Sequence, residues 1–300
     1  MAPSLAGIYP MMYAFFGRDG ALDRTCALRQ VQACVRAGAH GIAVLGLATE
    51  VGKLSESEKR TLVRWVLDET QGRVPVAVTV TGASVEAQVE FASWAAGEGA
   101  SWVILQPPPE RGRPEAWFAD FFASVMDRVG LPCAIQNAPE YLGVGLAPDS
   151  IRWLQQRCGN FMLLKGEGPV LTIHDVIEAV DGRLAVFNGR GGLELPDNLR
   201  AGCAGMIPAT DTFDYQVRIF ELMRSGRDED QQQAEALYRH VLPAIVFTLQ
   251  SLDTLLCYGK RIAALRLGLG EVYDRAPVLA PTAFGLECAS RYAMQLGQLA

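Results

Sequence analysis

Apolar residues recur along this chain in two rhythms. Short runs rich in Val, Ile, Leu and Phe alternate with longer segments that are apolar every three or four residues. The first rhythm predicts strands buried on both faces, and the second predicts helices with one apolar stripe. Strands are expected near Ile8–Tyr13, Gly41–Leu45, Pro75–Val80, Trp102–Gln106, Cys133–Asn137, Phe161–Lys165, Leu184–Phe187 and Gly205–Pro208. Helices are expected over Asp23–Ala37, Glu56–Glu69, Ser84–Gly97, Pro114–Val129, Pro148–Arg157, Thr172–Val180, Leu193–Ala201 and Phe213–Arg224. Ser55 and Glu58 have the spacing of a capping box at the start of the second helix, while Ser84 supplies only the serine half of one. Strand–helix units repeated about every 25 residues predict an α/β fold, a (β/α)8 TIM barrel. A doubly wound open sheet is the alternative. Against it, no GxGxxG follows the first strand.

The rhythm changes after residue 225. Asp228 to Leu249 reads as one long helix with an acidic, Gln-rich start and a kink at Pro243. Leu252–Leu267 and Ala283–Leu296 follow, separated by a Pro-containing loop. The expectation is a barrel over residues 1–225 and a helical C-terminal extension over 226–300. The extension either caps the barrel or builds an oligomer interface, and both readings are open.

Composition narrows the partners. The chain has 300 residues, 50% hydrophobic and 20% charged, which describes an ordinary globular protein. A net charge of −6 offers no basic footprint for nucleic acid or an anionic membrane. No apolar run approaches the length of a membrane span. Pro10 and the lack of a positive n-region argue against a signal peptide. The seven cysteines are scattered and never form CxxC, as expected of small core residues in a reducing cytoplasm. The three histidines lack metal-ligand spacing, so neither a metal nor another cofactor is expected.

The candidate chemistry centres on Phe161-Met162-Leu163-Leu164-Lys165-Gly166-Glu167. A lysine at the end of a buried strand is out of place, because burial disfavours a charged amine, and a neutral amine attacks carbonyls. Residues two apart share a strand face, so Lys165 and Glu167 should present an amine and a carboxylate at one strand mouth. A lysine that merely marks a solvent-exposed strand end is the alternative. In a barrel the working site lies at the C-terminal ends of the strands. Leu47, Ala48 and Thr49 would stand there after strand two, Gln136 and Tyr141 at strand five, Asn188, Gly189 and Arg190 after strand seven, and Ile207 on strand eight.

Together these landmarks resemble the dihydrodipicolinate synthase / N-acetylneuraminate lyase family along the whole chain. Gly46-x-x-x-Glu50 with Leu54-Ser55-x-x-Glu58 is similar to its GTTGE…LSxxE stretch, Asn137-Ala138-Pro139 to its YNxP, and Leu164-Lys165-x-Glu167 to its strand-six lysine motif. Gly202 to Pro208 is similar to its strand eight. The resemblance implies a TIM barrel whose lysine forms a Schiff base with a 2-keto acid, and a homo-oligomer, dimer or tetramer. Departures are equally plain. Gln136 stands where the family has its proton-shuttling tyrosine, Leu47 and Ala48 replace its paired hydroxyl residues, and Pro108-Pro109 replaces its Tyr-Tyr. Tyr141 stands where dihydrodipicolinate synthase has the arginine that holds its aldehyde substrate. Gln136-x-Ala138-Pro139 and Lys165-x-Glu167 are similar instead to the L-2-keto-3-deoxyarabonate dehydratase-like subgroup.

That resemblance implies a dehydratase of a 2-keto-3-deoxy sugar acid, with Lys165 as the Schiff-base lysine and Glu167 as the proton-transfer group. A structural ion pair of Glu167 with Lys165 or Arg190 is the alternative. Gln136 would hold a water or a substrate hydroxyl but cannot exchange protons. The backbone amides around Ala48 and Thr49 would receive the substrate carboxylate, and Arg190 suits a second acid group. Two other readings stay open: a pyruvate-dependent aldolase or synthase using the Tyr141 phenol, and a non-catalytic sugar-acid-binding homologue.

Overall fold

The computed structural model describes residues 5–299. The strands are β1 (Gly7–Ile8), β2 (Ile42–Val44), β3 (Val76–Val80), β4 (Trp102–Leu105), β5 (Cys133–Asn137), β6 (Phe161–Gly166), β7 (Ala185–Asn188) and β8 (Gly205–Met206). The helices between them are α1 (Arg24–Arg36), α2 (Glu56–Thr70), α3 (Val85–Glu98), α4 (Glu115–Met126), α5 (Pro139–Leu142), α6 (Pro148–Arg157), α7 (Val170–Ala179), α8 (Leu195–Arg200) and α9 (Phe213–Arg224). All neighbouring strands pair in parallel, in the order β1-β8-β7-β6-β5-β4-β3-β2. A parallel bridge from Met11 to Ala43 joins the two ends of that order and closes the barrel. The expected strands and helices are present. The short α5 and a 3-10 turn at Val51–Lys53 were not foreseen.

β1 and β8 are shorter than their apolar runs. Pro10 and Pro208 lack the N–H that a regular ladder needs. The chain nevertheless keeps strand-like bonds beyond them, from the Met11 amide to the Pro208 carbonyl at 2.6 Å and from the Met12 amide to the Ala43 carbonyl at 2.9 Å. Inside the barrel, Ala43, Ala77 and Ala134 are small, and Tyr9, Trp102 and Phe187 fill the space with ring centroids 5.4–6.0 Å apart. This aromatic plug floors the barrel below the strand mouths.

The expectation that β6 is buried on both faces fails at Met162, which is 40% exposed. The cause is a register shift. Cys133 pairs with Phe161 but Ala134 pairs with Leu163, so Met162 bulges out of the ladder. Beyond the bulge, Gln136 stands opposite Lys165 and Lys165 opposite Phe187. Lys165 therefore shares its face with interior side chains.

After α9, the extension comprises α10 (Asp228–Thr248), α11 (Leu252–Thr254), a π-helical turn at Leu255–Gly259, α12 (Lys260–Arg266) and α13 (Ala283–Leu296). The helix expected over Leu252–Leu267 is thus interrupted by that wide turn. α10 runs on through Pro243. Ion pairs tie the extension to the barrel: Arg266 to Asp214 at 2.7 Å, Arg275 to Glu58 at 2.7 Å, and the fully buried Lys260 to Glu50. Its residues Ile245, Thr248, Leu249, Leu252 and Leu255 line the cleft at the barrel mouth, so the extension caps the barrel. Among the described residues no single helix is long and apolar enough to cross a membrane.

Candidate active site

Alternation along the strands sets the wall of the cleft. On β6 the inward series is Leu163, Lys165 and Glu167, and on β8 and its continuation it is Ile207, Ala209 and Asp211. Lys165, Glu167, Ile207, Ala209 and Asp211 all face one narrow cleft, together with Met11, Leu47, Ala48, Tyr141 and Gly189. Lys165 is 5% exposed and Glu167 4% exposed. The amine therefore sits neither on the outer wall nor sealed in the core.

The Lys165 Nζ lies 2.6 Å from Glu167 Oε1. The same oxygen accepts a hydrogen bond from Gln136 Nε2 at 2.5 Å, and Gln136 Oε1 accepts one from Gln106 Nε2 at 2.7 Å. Gln88 then binds the Gln106 carbonyl at 2.9 Å. This chain of amides fixes Oε1 and leaves Oε2 without a partner among the described residues. Both functional groups of the Gln136 amide are already engaged. In this structure it orients Glu167.

Gly189 fits because it has no side chain. A Cβ there would lie 2.6 Å from Glu167 Cγ and 2.9 Å from Lys165 Cε, closer than real contacts allow. Its two neighbours depart from expectation. Asn188 is buried, donates to the Gly168 carbonyl and to Asn198 Oδ1, and accepts from the Arg190 amide. Arg190 pairs with Glu194 at 3.2 Å. Both side chains are held by these partners, and neither lines the cleft.

After β2 the chain turns tightly over Leu45–Glu50. Leu45 and Glu50 both have left-handed backbones, φ 65° and 56°, a strain on the order of 1 kcal/mol or more each for residues with side chains. Glu50 is held there by Lys260 and by Lys53 at 2.5 Å. Thr49 Oγ1 donates to the Met12 carbonyl at 2.7 Å, and the Thr49 amide donates to the Gly46 carbonyl. Thr49 is therefore a brace of the turn, which corrects its expected contact with substrate. The Ala48 amide has no hydrogen-bond partner among the described residues, and Ala48 and Leu47 line the cleft.

Tyr141 is half-buried at the rim, on α5. Burial, then the charge of Glu167, pushes its phenol above the ordinary range, against a smaller opposing effect of Arg190. Asp211 and Thr212 were missed by the sequence reading, although Asp211 obeys the same two-residue alternation as Lys165 and Glu167. Thr248, Leu249 and Leu255 had no readable signal, because docking of the extension decides their position.

Comparison with known proteins agrees with this architecture. Residues 4–282 match the dihydrodipicolinate synthetase family. The chain is 28% identical to L-2-keto-3-deoxyarabonate dehydratase of Azospirillum brasilense over 252 residues, 81% of this chain and 79% of the relative. It is 30% identical to 4-hydroxy-tetrahydrodipicolinate synthase of Thermus thermophilus over 234 residues, 76% of each. In fold it is similar to the crystal structure of YagE from Escherichia coli K12 in complex with pyruvate, with TM-score 0.89 and 23% identity, covering 97% of this chain and 98% of that one. With the closed parallel barrel and a match along nearly its whole length, the chain belongs to the dihydrodipicolinate synthetase family of lyases.

Proposed function

We propose that the protein is a Schiff-base lyase that dehydrates a 2-keto-3-deoxy sugar acid. The observation that carries this reading is the buried Lys165–Glu167 pair at 2.6 Å, backed by an amide, Gln136, instead of a phenol. Glu167 takes a proton from the Lys165 ammonium, which frees the amine to attack the substrate C2 carbonyl. Glu167 returns that proton to the carbinolamine hydroxyl, which leaves as water and gives a protonated imine, an electron sink that acidifies C3. Glu167, with Oε2 free, then removes a C3 proton, and the C4 oxygen departs as water. A carboxylic acid positioned in this way contributes about 10²–10⁴-fold in rate. The unpartnered Ala48 amide receives the substrate carboxylate, a role that needs no side chain.

Aldol cleavage is the second reading, and the position of Tyr141 in the cleft is what favours it. Cleavage must remove the C4 hydroxyl proton, whereas elimination must protonate that oxygen. A phenol pushed above its ordinary range keeps its proton at neutral pH, which suits hydrogen bonding better than proton removal. The dehydratase reading is preferred on that ground, and the named activity of the A. brasilense relative supports it. Product analysis with 2-keto-3-deoxy-pentonic and -hexonic acids tests it. Loss of water without pyruvate is expected, and 2-ketoglutarate semialdehyde should follow from L-2-keto-3-deoxyarabonate. Release of pyruvate would establish cleavage instead.

A further inference from the structure

The cleft that Lys165, Glu167 and Gly189 line contains a second carboxyl group, that of Asp211. We propose that Asp211 is the acid that protonates the departing C4 oxygen, and that Tyr13 positions it; this rests on the dehydratase reading above. Asp211 is 3% exposed, lines the same cleft as Lys165 and Glu167, and has no cation within ion-pair distance among the described residues. The nearest guanidinium, Arg266 on α12, is spent elsewhere. It binds the Asp214 carboxylate at 2.7 and 2.9 Å and the Asp211 backbone carbonyl at 2.6 Å. Asp211 Oδ1 accepts a hydrogen bond from the Tyr13 hydroxyl at 3.1 Å, and Oδ2 has no partner among the described residues. The carboxyl thus mirrors Glu167, with one oxygen tethered and the other free.

Burial, not the neighbouring charges, favours the acid form and pushes the carboxyl above the ordinary carboxylate range. The Asp211 amide, the Tyr13 hydroxyl and Arg266 oppose that shift, and Asp214 on α9 adds to it. Lys165 on β6 and Glu167 just past its end line the same cleft. Tyr13 is fully buried, its own phenol raised by burial and by Asp211 and Glu50, so it keeps its proton and donates. The tyrosine is wedged in place. Its amide donates to Gln30 Oε1 at 3.0 Å, and a Cβ on Gly259, inside the π-helical turn, would come within 2.4 Å of its hydroxyl. Wide turns of this kind are frequent at functional sites.

The step balances without a redox partner. Glu167 takes the C3 proton to give the enamine. The enamine electrons form C3=C4 as the C4–O bond breaks with its pair, and the Asp211 proton goes to that oxygen, so water leaves. Asp211 is left as a carboxylate accepting from Tyr13, and cleft water returns the proton from Glu167.

The test uses the full-length chain and two reactions. Exchange of the pyruvate methyl protons in deuterated water needs Lys165 and a C3 base but no acid at C4. Water loss from 2-keto-3-deoxy-pentonic and -hexonic acids needs all three groups. Asp211→Asn should retain the exchange half-reaction, which also reports folding, and lose about 10²-fold or more in water loss. Tyr13→Phe removes a bond that favours the carboxylate, so the alkaline limb of the water-loss profile should move to higher pH while exchange is unmoved. Wild type that exchanges but loses no water from any of these acids overturns the dehydratase reading and this role with it. Water loss in wild type with an unchanged rate in Asp211→Asn overturns Asp211 alone, as does an unmoved alkaline limb in Tyr13→Phe.

Discussion

Gln136 and Lys165 stand opposite each other across β5 and β6, and they do so because one residue, Met162, is bulged out three positions earlier. Without the bulge, Leu164 would take the position of Lys165. A one-residue slip along a strand exchanges its faces, and the amine would then point away from the cleft. Deleting Met162 removes the extra residue but leaves Phe161 opposite Cys133 and Lys165 opposite Gln136, so it should retain turnover, as should Met162→Gln, which at a position 40% exposed should change stability by no more than about 0.5 kcal/mol. Thermal unfolding and a rate assay on both variants check this. A folded but inactive deletion variant would show that the bulge itself, and not only the register beyond it, aims the lysine.

Glu167→Gln keeps the shape of the side chain and removes its basicity. It should spare covalent trapping of a 2-keto acid, because the amine remains, and should lower turnover by about 10²–10⁴-fold. Turnover close to that of the unaltered protein would remove Glu167 from the mechanism and leave it an ion-pair partner of Lys165.

At Gly189 a single methyl group would meet both functional side chains. Gly189→Ala should displace the Lys165–Glu167 pair, and misplacement of reacting groups by about 1 Å can cost on the order of 10²-fold in rate. The melting temperature should change much less than kcat. Unchanged kcat with an unchanged melting temperature would mean that the wall at Gly189 is compliant.

Stability should depend on pH through the clasp between extension and barrel. The Arg275 guanidinium, aided by Ser55, holds the Glu58 carboxyl down at about 2 from an ordinary 4.5. A group depressed in the folded state contributes stability above its unfolded value and loses it as pH falls through its folded value. Denaturant melts should therefore show the Glu58–Arg275 contribution in full above pH 4.5 and its loss towards pH 2. Glu58→Gln should flatten that dependence. An identical acid profile in the variant would assign the loss to other carboxylates.

Much of this was legible from local pattern. The barrel follows from runs whose periods differ, and Lys165 with Glu167 follows from strand alternation alone. Asp211 obeyed the same rule from Ile207 onward, yet it fell beyond the apolar run taken as the strand. Asn188 misled because it alternates with the inward Phe187 and is held by Gly168 and Asn198, and Arg190 because Glu194 pairs with it past the end of the strand. Gln136 was found but its bonds to Gln106 and Glu167 were not, because those partners come from other segments of the chain. The bulge at Met162 is a property of two strands together, and the cleft wall supplied by the extension depends on how α10 and the π-helical turn dock. Neither is written in any one segment.

The account depends on Lys165 Nζ as the nucleophile, and the chain has only four lysines, Lys53, Lys59, Lys165 and Lys260, which makes one measurement decisive. The intact protein is incubated with pyruvate and with a panel of 2-keto-3-deoxy acids, reduced with borohydride, and its mass and peptide map are read. A single adduct on the peptide carrying Lys165, absent from Lys165→Ala, is the predicted result. No adduct with any of the acids, or an adduct on Lys53, Lys59 or Lys260 instead, would contradict it.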